Sequence, residues 1–462
     1  MVFTRYCFHA AALVCALVAA CLFIPGLGGG FIFDDRPNIQ ENGALHLTQL
    51  SVDSVLAAAY SYQPGRGTRA LSMLSFALDH WRGGLDPKVF KVTNLAIHAL
   101  TAFALAFLFR RLLILAQWPA RRAMWAALAL SGLWAIHPLQ VSSVLYVVQR
   151  MQTLGTLFVV LALWAYLIAR EAQIDDRQGR KHFALAGLFG VLALAAKEDA
   201  ILLPAYTLVL ELTVLRFRAA QPALARALSR GYGLAAFAGI ALYAFVLLPH
   251  YWNWGDYPGR TFSSIERLLT QGRVLVLYIG QILLPLPERM TFFYDDLQVS
   301  RGLLDPPSTL PAFAMIAVLL VLAWRWRGQS PVLACGVLLF FAGHALTSNV
   351  INLELAFEHR NHLPLIGAVL AIGDLFAALT LRWQVRSAWV AGVATLALLA
   401  TSIVTLTRAH AWGDPLRFAL YSVEIAPESE RAWLALGETY ASLGGQRAES
   451  PYMQKAIDAC QA

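Results

Sequence analysis

Four short polar clusters interrupt an otherwise apolar chain, and each carries side chains able to handle protons or anions. Phe33-Asp34-Asp35-Arg36 offers two adjacent carboxylates that point in different directions whatever the backbone, so one can meet a substrate while the other orients a lysine, an arginine or a metal ion. A carboxylate near an apolar surface can be raised in pKa and serve as a general base. The competing account is a solvated turn, since Asp-Asp-Arg-Pro-Asn is also good turn chemistry. His137-Pro138 closes one apolar run, and Gln149-Arg150 lies in the next. An arginine inside an apolar helix is costly unless it snorkels or meets an anion. A phosphate would suit it, because guanidinium pairs with phosphate in bidentate fashion. Lys197-Glu198-Asp199 sits in a short turn, either as solvated charge or as a lysine at headgroup level oriented by its acidic neighbours. Glu358-His359-Arg360-Asn361-His362 places five polar groups before Leu363-Pro364, dense enough to contact a diphosphate, a phosphate or a sugar. His359 and His362 are metal-ligating types, but nothing here has zinc-site spacing, so phosphate or sugar contact is preferred and a divalent cation stays open.

These clusters need a scaffold, and the composition says which kind. The 462 residues are 58% hydrophobic and 14% charged, with mean hydropathy +0.57, far from a soluble domain. Apolar runs of transmembrane length recur along the chain. The expected fold is all-α: a polytopic membrane protein of about eleven transmembrane helices, at 8–24, 89–109, 123–138, 143–169, 182–197, 200–216, 230–249, 309–326, 332–348, 363–381 and 388–407. Residues 264–286 read as an interfacial or re-entrant helix. The formal charge of +8 does not imply a nucleic-acid partner. Arg110, Arg111, Arg121 and Arg122, then Arg170, Arg177, Arg180 and Lys181, then Arg216, Arg218, Arg226 and Arg230, then Arg325 and Arg327, then Arg382 and Arg386 fill alternate gaps, while most acids fill the others. That is the positive-inside pattern. It predicts an integral inner (cytoplasmic) membrane protein with its N-terminus cytoplasmic and its C-terminus periplasmic. The five cysteines show neither metal spacing nor a disulfide framework.

The spans delimit two units: a transmembrane domain over 1–410 and a polar tail over 411–462. A first external loop, 25–88, holds two stretches with helical apolar spacing, Leu45 to Tyr60 and Thr68 to Trp81, that suit the membrane surface. In the tail, Trp433, Leu436-Gly437, Tyr440 and Gly444 have the W-x2-L-G-x2-Y spacing of a tetratricopeptide repeat, in which small and aromatic positions interlock two antiparallel helices. Walker-type and serine-hydrolase signatures are missing, so the energy for any transfer must come from an activated substrate.

The order of motifs resembles the GT-C superfamily of membrane glycosyltransferases, and within it the bacterial relatives of the transmembrane and tetratricopeptide-repeat O-mannosyltransferases. It rests on Asp34-Asp35, Arg69-x-Leu71-Ser72, Thr93-Asn94-Leu95-Ala96-Ile97-His98, His137-Pro138-Leu139-Gln140, Ala196-Lys197-Glu198 and Glu358-His359-Arg360-Asn361-His362-Leu363-Pro364. The family's arginine-proline is Arg69-Ala70 here, and Ser142-Ser143 stands where an acid is common. The resemblance implies a polyprenyl-phosphate sugar as donor and a hydroxyl acceptor, Ser or Thr of an exported protein or alternatively a glycan or lipid. It implies a base among the first-loop acids, matched by Asp34 and Asp35, and the mechanism expected here has Asp35 as base with Asp34 as orienter and a donor site drawn from Arg69, His137, Arg150, Lys197, Glu198, Glu358, His359 and Arg360. Two rivals are a non-catalytic membrane scaffold presenting the repeat-like tail and a lipid-linked-sugar transporter. The first would not need acids and cations gathered on one face, and the second usually carries an internal symmetry that the chain lacks.

Overall fold

The computed structural model describes residues 2–62, 68–445 and 450–461, and every regular element among them is helical. The chain opens with α1 (Val2–Cys21) and a long loop that carries α2 (Val52–Ala59) and α3 (Ala70–Gly83). Residues 63–67 of that loop lie outside the described residues. There follow α4 (Pro87–Leu115), α5 (Ala120–Ala135), the short α6 (Gln140–Leu145), α7 (Arg150–Ile174), α8 (Arg180–Ala196) and α9 (Leu203–Leu210), the last prolonged by a π-turn to Leu215. Next, α10 (Pro222–Leu242) runs through a π-turn into α11 (Leu248–Tyr251), and α12 (Ser264–Leu283), α13 (Thr309–Trp326), α14 (Pro331–His344), α15 (Pro364–Arg382) and α16 (Ser387–Ala411) complete the apolar part. The tail forms α17 (Pro415–Ile425), α18 (Glu430–Leu443) and α19 (Pro451–Gln461).

Local chemistry sets many of the boundaries. Proline opens α4, α10, α14, α15 and α17, where its missing N–H costs nothing. Ser51 and Ser263 close capping boxes on α2 and α12, and Asp86, Asp414 and Ser429 cap α4, α17 and α18. The Ser51 cap explains why α2 starts later than the apolar spacing from Leu45 suggests.

Among the described residues, seven helical stretches are long and apolar enough to cross a bilayer: Cys7–Gly26, Pro87–Leu115, Val147–Ile174, Pro222–Tyr251, Thr309–Trp326, Pro364–Arg382 and Ser387–Ala411. The protein is thus a multi-pass membrane protein, with seven such helices against the eleven expected. The other four expected spans are shorter helices: α5 has 16 residues, α8 has 17, α14 has 14, and α9 has 8 before its π-turn. At 1.5 Å per residue such segments fall short of a hydrocarbon core about 30 Å thick. Along α10 no side chain is buried, and Leu234, Phe237 and Ile240, with Phe245 in the π-turn that follows, are strongly exposed; such a surface suits lipid.

The core forms where α4 packs on α1, α5 and α7, α7 on α8, and α14 on α15. Leu105, Phe109, Trp134, Val160, Leu167, Leu210, Phe340 and Leu365 meet there. The basic gaps collect at one end of this bundle. Arg111 pairs with Glu171, Arg170 with Glu211 at 2.6 Å, Arg218 reaches the Leu115 carbonyl at 3.4 Å and Arg216 the Gly328 carbonyl at 2.5 Å. Segment 264–286 is amphipathic and is not among the seven crossing helices. Its buried Arg267 donates to the carbonyls of Thr347, Asn349 and Leu353 and so shapes the chain that leads into residue 358. In the tail, Gly437 lets Cys460 and Ala456 approach, Tyr440 stacks on Tyr452, and Gly444 meets Ser450. Those contacts run in opposite sequence directions, so α18 and α19 are an antiparallel hairpin.

Candidate active site

The polar clusters meet at the end of the bundle away from the basic gaps. After α1 the chain turns through Phe33, whose φ of 41° is left-handed, and this splits the two aspartates. Asp35 turns inward and is wholly buried. Its Oδ1 accepts from the Val148 N–H at 2.7 Å and its Oδ2 from the Ile32 N–H at 3.0 Å. Burial pushes this carboxyl up to about 7 against the pull of those two donors. Asp34 remains partly exposed, with its backbone N–H donated to the Tyr146 hydroxyl at 2.9 Å. Burial and then the charge of Glu354 raise the Asp34 carboxyl, while the Tyr146 hydroxyl, Arg69 and Arg431 oppose the rise. The pair therefore divides into a wholly buried Asp35, tied to backbone N–H groups, and a partly exposed Asp34.

Asp35 makes the fold sensitive to pH in a defined direction. Its folded value lies above that of an unfolded carboxylate, near ~4. The folded state therefore binds the proton more tightly, and the stability this confers is full below about pH 4 and lost as pH rises through about 7. Asp35→Asn, fixed in the neutral form, should flatten that part of the melting-temperature profile of the detergent-solubilised chain. An unchanged slope would exclude Asp35 as its source.

Arg69 and Arg431 bear on Asp34, and Lys197 and Arg360 on His359. Arg69 precedes α3 in a left-handed conformation (φ 59°), a strained setting for a residue with a side chain. Its Nε donates to both Glu198 oxygens, at 3.0 and 2.9 Å, and its guanidinium lies 4.2 Å over the Tyr62 ring. Ser72 on α3 donates to the Ala196 carbonyl at 2.9 Å, pinning that helix to the end of α8. Lys197 breaks α8 in extended geometry and reaches Gln152 at 2.7 Å and Asp199 at 3.5 Å. His359 stacks on Phe357 at 4.9 Å and meets the Tyr146 ring edge-on at 6.3 Å. Burial, then Lys197, Arg360, His362 and Arg69, hold it well below the ordinary histidine range, hence neutral. Arg360 donates to the Leu355 carbonyl at 3.1 Å. Tyr146 thus joins Asp34 to His359, and His359 feels Lys197, Arg360 and Arg69 together.

Three expected donor-site residues have partners within the protein. Arg150 spends its guanidinium on the protein: Asn94 at 2.7 Å, the carbonyls of Ser75 and Phe90 at 2.9 and 2.8 Å, and Asp79 at 2.5 Å. It ties α7 to α3 and α4, and no phosphate is needed to explain it. His137 is buried, bonded to the Ile282 carbonyl at 3.2 Å and to the Leu139 N–H at 3.3 Å. Glu358 pairs in bidentate fashion with buried Arg408, at 2.9 and 2.8 Å. Among the described residues no group of three or more His, Cys, Asp or Glu side chains is placed to hold a metal ion. Tyr146, Glu354 and Arg431 went unrecognised in the sequence; the polar stretch after His137-Pro138 signals Tyr146, and nothing local signals the others.

Known proteins resemble part of the chain. The Drosophila melanogaster protein O-mannosyl-transferase Tmtc1 is 30% identical over 192 residues, 40% of this chain and 21% of that protein. Human protein O-mannosyl-transferase TMTC4 is 27% identical over 221 residues, 44% of this chain and 29% of its own. Drosophila Tmtc2 is 26% identical over 343 residues, which is 70% of this chain. The chain is a distant relative of these O-mannosyl-transferases. It covers 21%, 29% and 35% of their respective lengths. No family model matches, and no solved structure does.

Proposed function

We propose that the chain is a GT-C-type glycosyltransferase of the inner membrane that moves a sugar from a polyprenyl phosphate to a hydroxyl of an exported protein on the periplasmic face. The observation that carries it is a partly exposed carboxylate, Asp34, linked through Tyr146 to a cluster of Arg69, Lys197, Arg360 and neutral His359. The relatives' description as protein O-mannosyl-transferases supports mannose and a protein acceptor. On this reading 411–462 is a tetratricopeptide-like unit, and the basic end of the bundle is cytoplasmic.

The chemistry is one displacement. The acceptor oxygen attacks the anomeric carbon as its proton passes to the Asp34 carboxylate, and the bond from that carbon to the phosphate oxygen breaks. The configuration inverts, and polyprenyl phosphate leaves with one more negative charge. Arg69, Lys197 and Arg360 stabilise that developing charge, to which preorganised cations contribute most. Glu198 and Asp199 hold Arg69 and Lys197 in position until the phosphate arrives. Asp35 fixes the turn that aims Asp34.

The test uses the purified full chain in detergent with undecaprenyl-phosphate mannose and a Ser/Thr-rich peptide. Release of undecaprenyl phosphate together with mannosylated peptide is the expected result. No release with mannose, glucose or N-acetylglucosamine donors would remove the proposal.

A further inference from the structure

Arg431 sits on the tail, far in sequence from the other groups, yet its side chain ends among them. The first turn of α18 is fixed to the segment after α12. The Ser429 hydroxyl donates to Asp295 Oδ1 at 2.6 Å, and the Arg431 N–H donates to Asp295 Oδ2 at 3.1 Å. From there the Arg431 guanidinium reaches Glu354 Oε1 at 3.1 Å and lies 5.9 Å over the ring of Phe33, the residue before Asp34. Arg260 takes the same Glu354 oxygen at 2.8 Å. Docking of the tail does not need this charge. Phe418 packs edge-on to Phe292 at 5.5 Å and to Trp412 at 4.7 Å, and Ala432 is buried in the same cluster.

We propose that Arg431 is a positioning residue of the active site: together with Arg260 it fixes the Glu354 carboxylate, and it presents a positive charge to Asp34. The tail is then a wall of the site, not an appendage. The inference rests on the transferase reading only in naming Asp34 as the base. The groups facing Asp34 are Tyr146 from the α6–α7 connection, Arg69 and Tyr62 from the first loop, Glu354 from the segment before residue 358, and Arg431 from α18. Of these, Glu354 favours the protonated carboxyl, and Arg69 and Arg431 favour the ionised one. Arg431 and Glu354 keep 35% and 25% of their side-chain surface exposed, so solvent screens part of the effect.

The test reads the protonation of Asp34 in the full chain in detergent, as the infrared carboxyl band that disappears in Asp34→Asn. In Arg431→Gln its midpoint should rise by about half a pH unit, the size of a partly screened neighbouring charge. Arg431→Lys should restore it, and Glu354→Gln with Arg431→Gln should bring it back toward the wild-type value. The acidic limb of kcat/KM should move with it. A midpoint unchanged in Arg431→Gln, or a rate lowered equally at every pH, overturns the proposal and leaves a packing role only. If Arg431→Gln does not fold, Glu354→Gln alone must lower the midpoint, and an unchanged value there is equally decisive. Full turnover in Asp34→Asn is a separate outcome, which removes the base assignment and not the Arg431–Glu354 coupling.

Discussion

Asp34→Asn should lower sugar transfer by about 10²–10⁴-fold, the usual weight of a general base, while leaving the melting temperature of the solubilised chain unchanged. The amide keeps the shape but cannot accept the proton. The link that holds the turn, from the Asp34 backbone N–H to the Tyr146 hydroxyl, does not involve the substituted group. Asp35 gives the contrast. Its carboxylate receives the N–H groups of Ile32 and Val148, so Asp35→Ala leaves two donors short of an acceptor and should lower stability before it touches the chemistry. Donor turnover and thermal melting on both variants separate the roles. Wild-type turnover in Asp34→Asn would end the assignment.

Glu358→Ala should be the most destabilising single change around the site, costing about 3–5 kcal/mol because it leaves a buried arginine without its counter-ion. Arg408 and Glu358 each keep 1% of their side-chain surface exposed. Arg408 also donates to the Pro138 carbonyl at 2.7 Å, so the pair joins α16, the turn after α5 and the segment before α15. Glu358→Ala combined with Arg408→Met should recover much of the loss, since paired apolar replacement of a buried ion pair is often neutral. Melting curves in one detergent decide the point. If the single variant melts like the wild type, the pair is not what holds the segment.

Helical class, the membrane setting and the gathering of arginines at one end were legible because they depend on long runs and on composition. Side-chain roles were less legible. A charge inside an apolar run announces that it needs a partner, yet its neighbours in sequence do not say whether that partner is a ligand or the protein. For Arg150 it is Asp79 and Asn94, and for Glu358 it is Arg408, each in a remote segment. The two aspartates show the same limit. Their adjacency guarantees that they diverge, but Phe33's left-handed turn decides which of them faces inward. Span boundaries were less legible than span positions. Hydropathy marks apolar stretches well, but α5, α8, α9 and α14 are shorter as regular helices than the apolar runs around them. Glu354 and Arg431 left no local mark, because their meeting depends on how the tail folds back.

The far end of the bundle carries a network whose meaning extends past packing. Arg170 and Glu211 are both without exposed surface, Tyr166 donates to Glu211 at 2.7 Å, and Arg170 also reaches the Arg218 carbonyl at 2.8 Å. A carrier that passed a sugar-lipid headgroup from one side to the other would have to strip this cluster of its partners on every cycle, against the several kcal/mol that a bared buried ion costs. A cluster so fully tied suits a bundle whose basic end stays fixed, while Asp34, at the opposite end, keeps part of its surface exposed.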